Sequence, residues 1–145
     1  MRRIVSGTRT IAASRAQVFA LLADPRKHPV IAGNHSVREQ DIDAPDRLYQ
    51  GAVFRTRMWF GIPYWINNEV VEYTENALIA WRNWGGHIWR WQLHEVAACC
   101  TDVEEVFDYR TTRSPRLFEL IGAPRYNRRN IRISLENLDA LARKQ

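Results

Sequence analysis

From residue 35 to 112 the chain reads as strands joined mostly by short turns, and only one long helical pattern follows. The stretches are HSVREQDI, GAVFRTRMWF, YWINNEVVEY, ALIAWRNW, HIWRWQLHEV and CTDVEEVFDYRTT. Gly61-Ile62-Pro63, Thr74-Glu75-Asn76, Gly85-Gly86 and the region of Ala98-Cys99 supply the turns. Short connections between successive strands favour an antiparallel meander. Such a sheet has one dry face that needs a cover. The helix opened by Pro124 and running to about Arg143 is the one long element able to provide it. On a helical wheel Ile131, Leu135, Leu138 and Ala142 form an apolar stripe with Leu141 beside it, and Arg129, Arg132, Glu136 and Arg143 lie opposite. Asn127 and Ser134 interrupt the stripe.

The N-terminal part completes an α+β pattern. Residues 3 to 13 read as a strand. Ser14 followed by Gln17 has the form of a capping box, and Val18, Leu21 and Leu22 recur at helical spacing until Asp24-Pro25. Asp24 is placed to cap a second helix from Pro25, which Pro29 keeps short. Near the other end, Ser114-Pro115 opens a short helix that Gly122 stops. The expected fold is a curved seven-stranded antiparallel sheet wrapped around a long C-terminal helix, with two short helices between strands 1 and 2. With 145 residues, this is expected to be a single domain over 1–145.

Composition narrows the class. Hydrophobic residues make up 46% and charged residues 26%, a balance that disfavours disorder. No run approaches a membrane span and no apolar leader follows the basic start, so a cytoplasmic protein without integral membrane association is expected. Cys99 and Cys100 are adjacent and cannot staple distant segments. HxxxH, HxH and CxxC are absent, as are a Gly-rich phosphate loop and a nucleophile signature, so no metal and no cofactor are expected. His28 and His35 fall in loops or at strand ends. The net charge is +5, and Arg110, Arg113, Arg116, Arg125, Arg128, Arg129 and Arg132 gather in one stretch with Glu119. Aromatics are not interleaved with these arginines, which argues against nucleic acid.

The residues IAASRAQVFALLADPRKHP carry a resemblance. Ile11, Ala13-Ser14, Val18-Phe19, Leu21-Leu22 and Asp24-Pro25 resemble the START-like (SRPBCC) superfamily, more narrowly its polyketide cyclase/dehydrase and lipid-transfer branch. Trp89, Trp91 and Leu93, with Thr101 and Val103 on the next strand, resemble that family's last hairpin. Two features depart from it: Pro29-Val30-Ile31 stands where a Trp is common, and Cys100-Thr101 where a Gly-Thr turn is. The resemblance implies a helix-grip fold with a cavity between sheet and last helix. Members bind lipids, sterols or polyketides, some are cyclases or hydrolases, and they share no single catalytic motif.

Candidate site residues follow from strand alternation. All six tryptophans fall in the meander: Trp59, Trp65, Trp81, Trp84, Trp89 and Trp91. Trp65, Trp81, Trp89, Trp91 and Phe107 are candidates to line a pocket, with Asn127 and Ser134 presenting polar atoms. Phe118, Ile121 and Tyr126 are candidates to close its mouth. Ordinary core packing is the competing reading for the indoles. In CTDVEEVFDYR, Glu105 shares the apolar phase with Thr101, Val103, Phe107 and Tyr109, so it points inward. It is either an acid/base group, a group that orients a ligand hydroxyl, or one half of a salt bridge with Arg57 or Arg82 as the candidate partners. Three functions compete. The first is a binder of a hydrophobic, ring-containing small molecule. The second is a cyclase or dehydratase with Glu105 as acid/base and Tyr109 or Arg57 polarising a carbonyl. The third is an interaction module with a filled core and a basic surface. A homodimer is compatible with each.

Overall fold

The computed structural model describes residues 2–32, 37–59 and 61–144. His35, Ser36 and Phe60 therefore lie outside the described residues, and the side chain of Trp59 is not described. Strand β1 (Ile4–Ile11) is followed by helix α1 (Arg15–Leu22), a 3-10 turn (Pro25–Lys27) and helix α2 (His28–Ile31). The meander follows: β2 (Val37–Asp43), β3 (Val53–Trp59), β4 (Pro63–Thr74), β5 (Leu78–Asn83), β6 (Ile88–Ala97) and β7 (Cys100–Asp108). Helices α3 (Pro115–Leu120) and α4 (Ala123–Arg143) close the chain. The strands form one antiparallel sheet in the order β1-β7-β6-β5-β4-β3-β2. Each meander strand pairs with its sequence neighbour, and β1 closes against β7.

The local signals act as the residues suggest. Ser14 Oγ accepts from Gln17 N at 3.2 Å and Gln17 Oε1 accepts from Ser14 N at 3.0 Å, so the capping box is complete. Asp24 Oδ1 accepts from Arg26 N at 3.0 Å. The second expected helix differs in kind: Pro25–Lys27 is a 3-10 turn that passes into a single α-turn, because Pro29 cannot extend a longer helix hydrogen-bond ladder.

One face of the sheet is dry. Ile79, Trp91, Leu93, Val103 and Phe107 are buried with Ile131, Leu135, Leu138 and Ala142 of α4 in one core. Alternation fails at one place that matters. A bulge between Val70 and Glu72 puts Val70 and Tyr73 on the inner face, three residues apart. A bulge bends its strand and sharpens the local twist, which curves this half of the sheet. Tyr73 meets Phe19 of α1 edge-on, with ring centroids 5.5 Å apart.

Helix α4 lies against β1 and β7, with α1, α2 and α3 around it. Gly7 of β1 sets how closely it seats. A Cβ there would stand 2.8 Å from Ile131 Cγ2 and 3.4 Å from Leu135 Cδ1. The helix is therefore drawn to the β1/β7 side, away from the inner faces of β3 to β5. Gly7→Val is expected to lower stability by about 1–3 kcal/mol through overpacking. Urea denaturation measures it, and an unchanged midpoint would contradict the role given to Gly7.

Candidate functional site

A partly open cavity of about 190 Å³ lies where α4 and the sheet part. Trp81 of β5 and Trp89 and Trp91 of β6 form one wall, placed by strand alternation and by the direct pairing of Trp81 with Trp89. Phe54, Thr56, Ile66 and Asn68 extend the wall across β3 and β4. His28, Ile31 and Ala32 contribute from α2 and its end, and Asn127, Asn130 and Ser134 from α4. Glu105 of β7 lies on the floor, directly opposite Trp91 in the ladder.

Glu105 is 5% exposed and bonded to the Ser134 hydroxyl. Burial pushes its carboxyl up to about 8, against the pull of the Ser134 bond. Near neutral pH the group is therefore held mainly as the neutral acid. The bonding agrees. Ser134 Oγ also lies 3.1 Å from the Ile131 carbonyl, and a hydroxyl has one proton to give. Both contacts are met when the carboxyl donates to Oγ and Oγ donates to Ile131. The salt bridge to Arg57 or Arg82 does not form. Arg82 and Arg57 occupy the outward phases of β5 and β3, whose inward phases carry Trp81 and Thr56.

His28 is the residue that sequence reasoning missed. Its Nε2–H donates to the Leu22 carbonyl at 2.9 Å, and its ring stacks on Trp81 with centroids 4.8 Å apart. Burial lowers its pKa, opposed by that backbone bond and by Asp24. A neutral ring with Nε2 protonated leaves Nδ1 as an acceptor. Nothing local marks His28, because the turn after α1 delivers it. Asn130 was more accessible: it lies three residues after Asn127 and four before Ser134, on the same helix stripe. Asn68 likewise shares the phase of Ile66 and Val70. Asn130 Nδ2 lies 3.5 Å from Asn127 Oδ1, and Asn83 Nδ2 donates to Asn68 Oδ1 at 3.4 Å. One donor is left over. Trp91 is 3% exposed and its Nε1 has no partner among the described residues.

The structure thus brings Trp81, Trp89, Trp91, Glu105, Asn127 and Ser134 to one cavity and leaves the other candidates elsewhere. Trp65 is 48% exposed on the outward phase of β4, with the Arg55 guanidinium 4.8 Å above its ring. Arg57 is its ladder partner on that same outer face. Phe107 is inward but sealed in an aromatic stack with Trp89, Tyr109 and Phe118, at centroid distances of 5.0, 5.5 and 6.2 Å. Tyr109 turns its hydroxyl to Glu119 at 3.3 Å instead of to the cavity. Phe118 is half-buried in that stack, whereas Ile121 and Tyr126 are exposed.

The pattern of the polyketide cyclase / dehydrase and lipid transport family matches residues 2–143. The chain belongs to that family. Among family relatives, the chain is similar to uncharacterized protein Rv0088 of Mycobacterium tuberculosis strain H37Rv, at 35% identity over 139 residues. It is also similar to uncharacterized protein MT0096 of strain CDC 1551, at 34%. The match covers 92% of this chain and 62% of each relative, so the chain spans less than two thirds of their length. Solved structures share the fold. One is a protein from Arthrobacter aurescens, with TM-score 0.75, 12% identity and coverage of 99% of this chain and 88% of that one. Another, from Rhodobacter sphaeroides, has TM-score 0.72, 16% identity and coverage of 97% and 92%. Among the described residues no helix is long and apolar enough to cross a membrane.

A carboxyl raised from 4.5 to about 8 makes stability fall as pH rises between those values, because the unfolded chain ionises first. Glu105→Gln keeps the neutral shape. The variant is expected to exceed the parent in stability by about 3–5 kcal/mol at pH 8, with the gap closing toward pH 4.5. Denaturant midpoints across that range measure it, and a pH-independent difference would contradict the buried neutral acid.

Proposed function

We propose that the protein binds a small ring-containing hydrophobic molecule between the sheet and α4, with a carbonyl or hydroxyl turned to the cavity floor. The observation that carries the reading is the partly open cavity walled by three indoles, with the Trp91 Nε1–H buried and unpartnered behind its wall. A buried donor without an acceptor is costly, so a small turn of the Trp91 ring that brings this N–H to a ligand oxygen is favoured. Glu105, its one proton given to Ser134, leaves its other carboxyl oxygen as an acceptor on the same floor, suited to a ligand hydroxyl.

Size favours a single substituted ring over a long chain. A cavity on the order of 150 Å³ accepts a benzene ring, so about 190 Å³ takes little more than a substituted ring. A ring system of aromatic side-chain size buries ~150–250 Å², worth about 4–6 kcal/mol. That alone corresponds to roughly millimolar to tens of micromolar affinity, before ordering costs. Polar contacts at the floor therefore set both affinity and orientation.

A second reading is favoured by a specific pairing. The cavity lining includes a carboxyl, Glu105, and an imidazole, His28, and burial favours the neutral form of each. Such a pair suits a dehydratase or cyclase step in which one group gives a proton and the other takes one. Tyr109 and Arg57 have no part in it.

Titration with one- and two-ring hydroxy- and keto-aromatics, followed by tryptophan fluorescence, is expected to show saturable changes. Trp91→Phe is expected to weaken those ligands about ten-fold while sparing purely hydrocarbon analogues. A panel that leaves the fluorescence unchanged would reject the binding reading. For the enzymatic reading, Glu105→Gln is expected to abolish turnover of a ligand it still binds, and unchanged turnover rejects it.

A further inference from the structure

The large apolar side chains left exposed are concentrated at one end of the molecule. The β5–β6 hairpin tip carries Trp84, 80% exposed, and α3 with its C-cap carries Leu120 and Ile121, 83% and 69% exposed. Ile62 and Tyr64 project from the β3–β4 hairpin, and Tyr126 from the first turn of α4. Several contacts show that these elements share that end. Trp84 N donates to the Asn67 carbonyl at 3.0 Å. A Cβ on Gly86 would stand 2.8 Å from the Thr111 carbonyl, just ahead of α3. His87, just ahead of β6, meets Phe118 of α3 with ring centroids 5.5 Å apart. The cavity reaches toward the same end, since Ile66, Asn83 and Asn127 line it.

Beside this rim runs a stripe of charge. Arg125, Arg128, Arg129 and Arg132 are spaced i, i+3, i+4 and i+7 along α4, and all four are exposed. Together with Arg9 they line a groove between α4 and the edge strand β1. Arg9 is paired with Asp139 at 2.7 Å. Among the described residues the four helix arginines have no ion-pair partner, and Glu119 nearby is engaged by Tyr109 and Arg3.

We propose that this end docks on an anionic lipid membrane, with Leu120, Ile121 and Trp84 entering the interface and the α4 arginines holding lipid phosphates. Charge complementarity selects the occupant. A band of exposed Trp, Tyr, Leu and Ile beside unpaired arginines is the composition that interfacial binding requires, where apolar burial and attraction to anionic headgroups add. An acidic protein surface would satisfy the arginines but leave the aliphatic tips without an apolar partner. Docking would bring the cavity end to the bilayer, so an apolar ligand can pass between them. That last step rests on the ligand-binding reading, and the docking does not.

The test is sedimentation with phosphatidylcholine vesicles, with and without phosphatidylglycerol, and with no pocket ligand added. The protein is expected to sediment with the anionic vesicles and much less with the neutral ones. Arg125→Gln with Arg129→Gln is expected to weaken partitioning roughly twenty-five-fold, at about five-fold per arginine. Trp84→Ser with Leu120→Ser is expected to weaken it comparably, while circular dichroism and the thermal midpoint stay at parent values. Failure to sediment with anionic vesicles at low ionic strength overturns the proposal. So does binding that the Trp84/Leu120 variant retains in full. Light scattering that shows a dimer dissolved by that variant, without vesicle binding, assigns the rim to a second copy and also overturns it.

Discussion

The seating of α4 on Gly7 governs the rest of the structure. A helix has one stripe to bury, and here Ile131 and Leu135 meet β1 where no side chain stands in the way. The long helix is thereby committed to the β1/β7 side. The other half of the sheet, bent at the β4 bulge, keeps an inner face that the helix does not reach. Part of that face is sealed by α1 through Phe19 and Tyr73. The remainder, walled by Trp81, Trp89 and Trp91, borders the cavity. A close contact on one side and an unfilled space on the other are two consequences of the same packing.

The cavity's electrostatics follow from its burial. Two ionisable groups of opposite type, the Glu105 carboxyl and the His28 imidazole, are both driven toward their neutral forms by burial. An apolar wall of indoles tolerates neutral donors and acceptors far better than ions. The result is a hydrophobic space with a few directional hydrogen-bond groups, the lining that small-molecule pockets use. Charge is kept outside, on the outward phases of the strands and the solvent face of α4. There Arg90 spans Glu72 and Asp108 at 2.7 and 3.4 Å.

Much of the fold was legible because it is written in periodicity and caps. The capping box at Ser14, the alternation of HIWRWQLHEV and the stripe on α4 are local patterns with local causes. Alternation also placed Glu105, Trp89 and Trp91 inward. Trp65 lies outside because YWINNEVVEY offers apolar residues in both phases, and Ile66 and Val70 take the inside. Tyr109 and Phe107 have the right phase but meet α3, so phase alone did not separate a sealed stack from an open wall. His28 had no pattern to reveal it. Its place depends on a 3-10 turn bringing an imidazole onto an indole more than fifty residues away in sequence.

The indoles border space instead of interlocking with the helix. Crystals pressurised with xenon test it directly, since an apolar cavity takes up xenon where a filled core does not. Xenon density is expected against Trp81, Trp89 and Trp91, beneath Asn130 and Ser134. Side chains of α4 and the sheet packed together there, with no density between them, would contradict it.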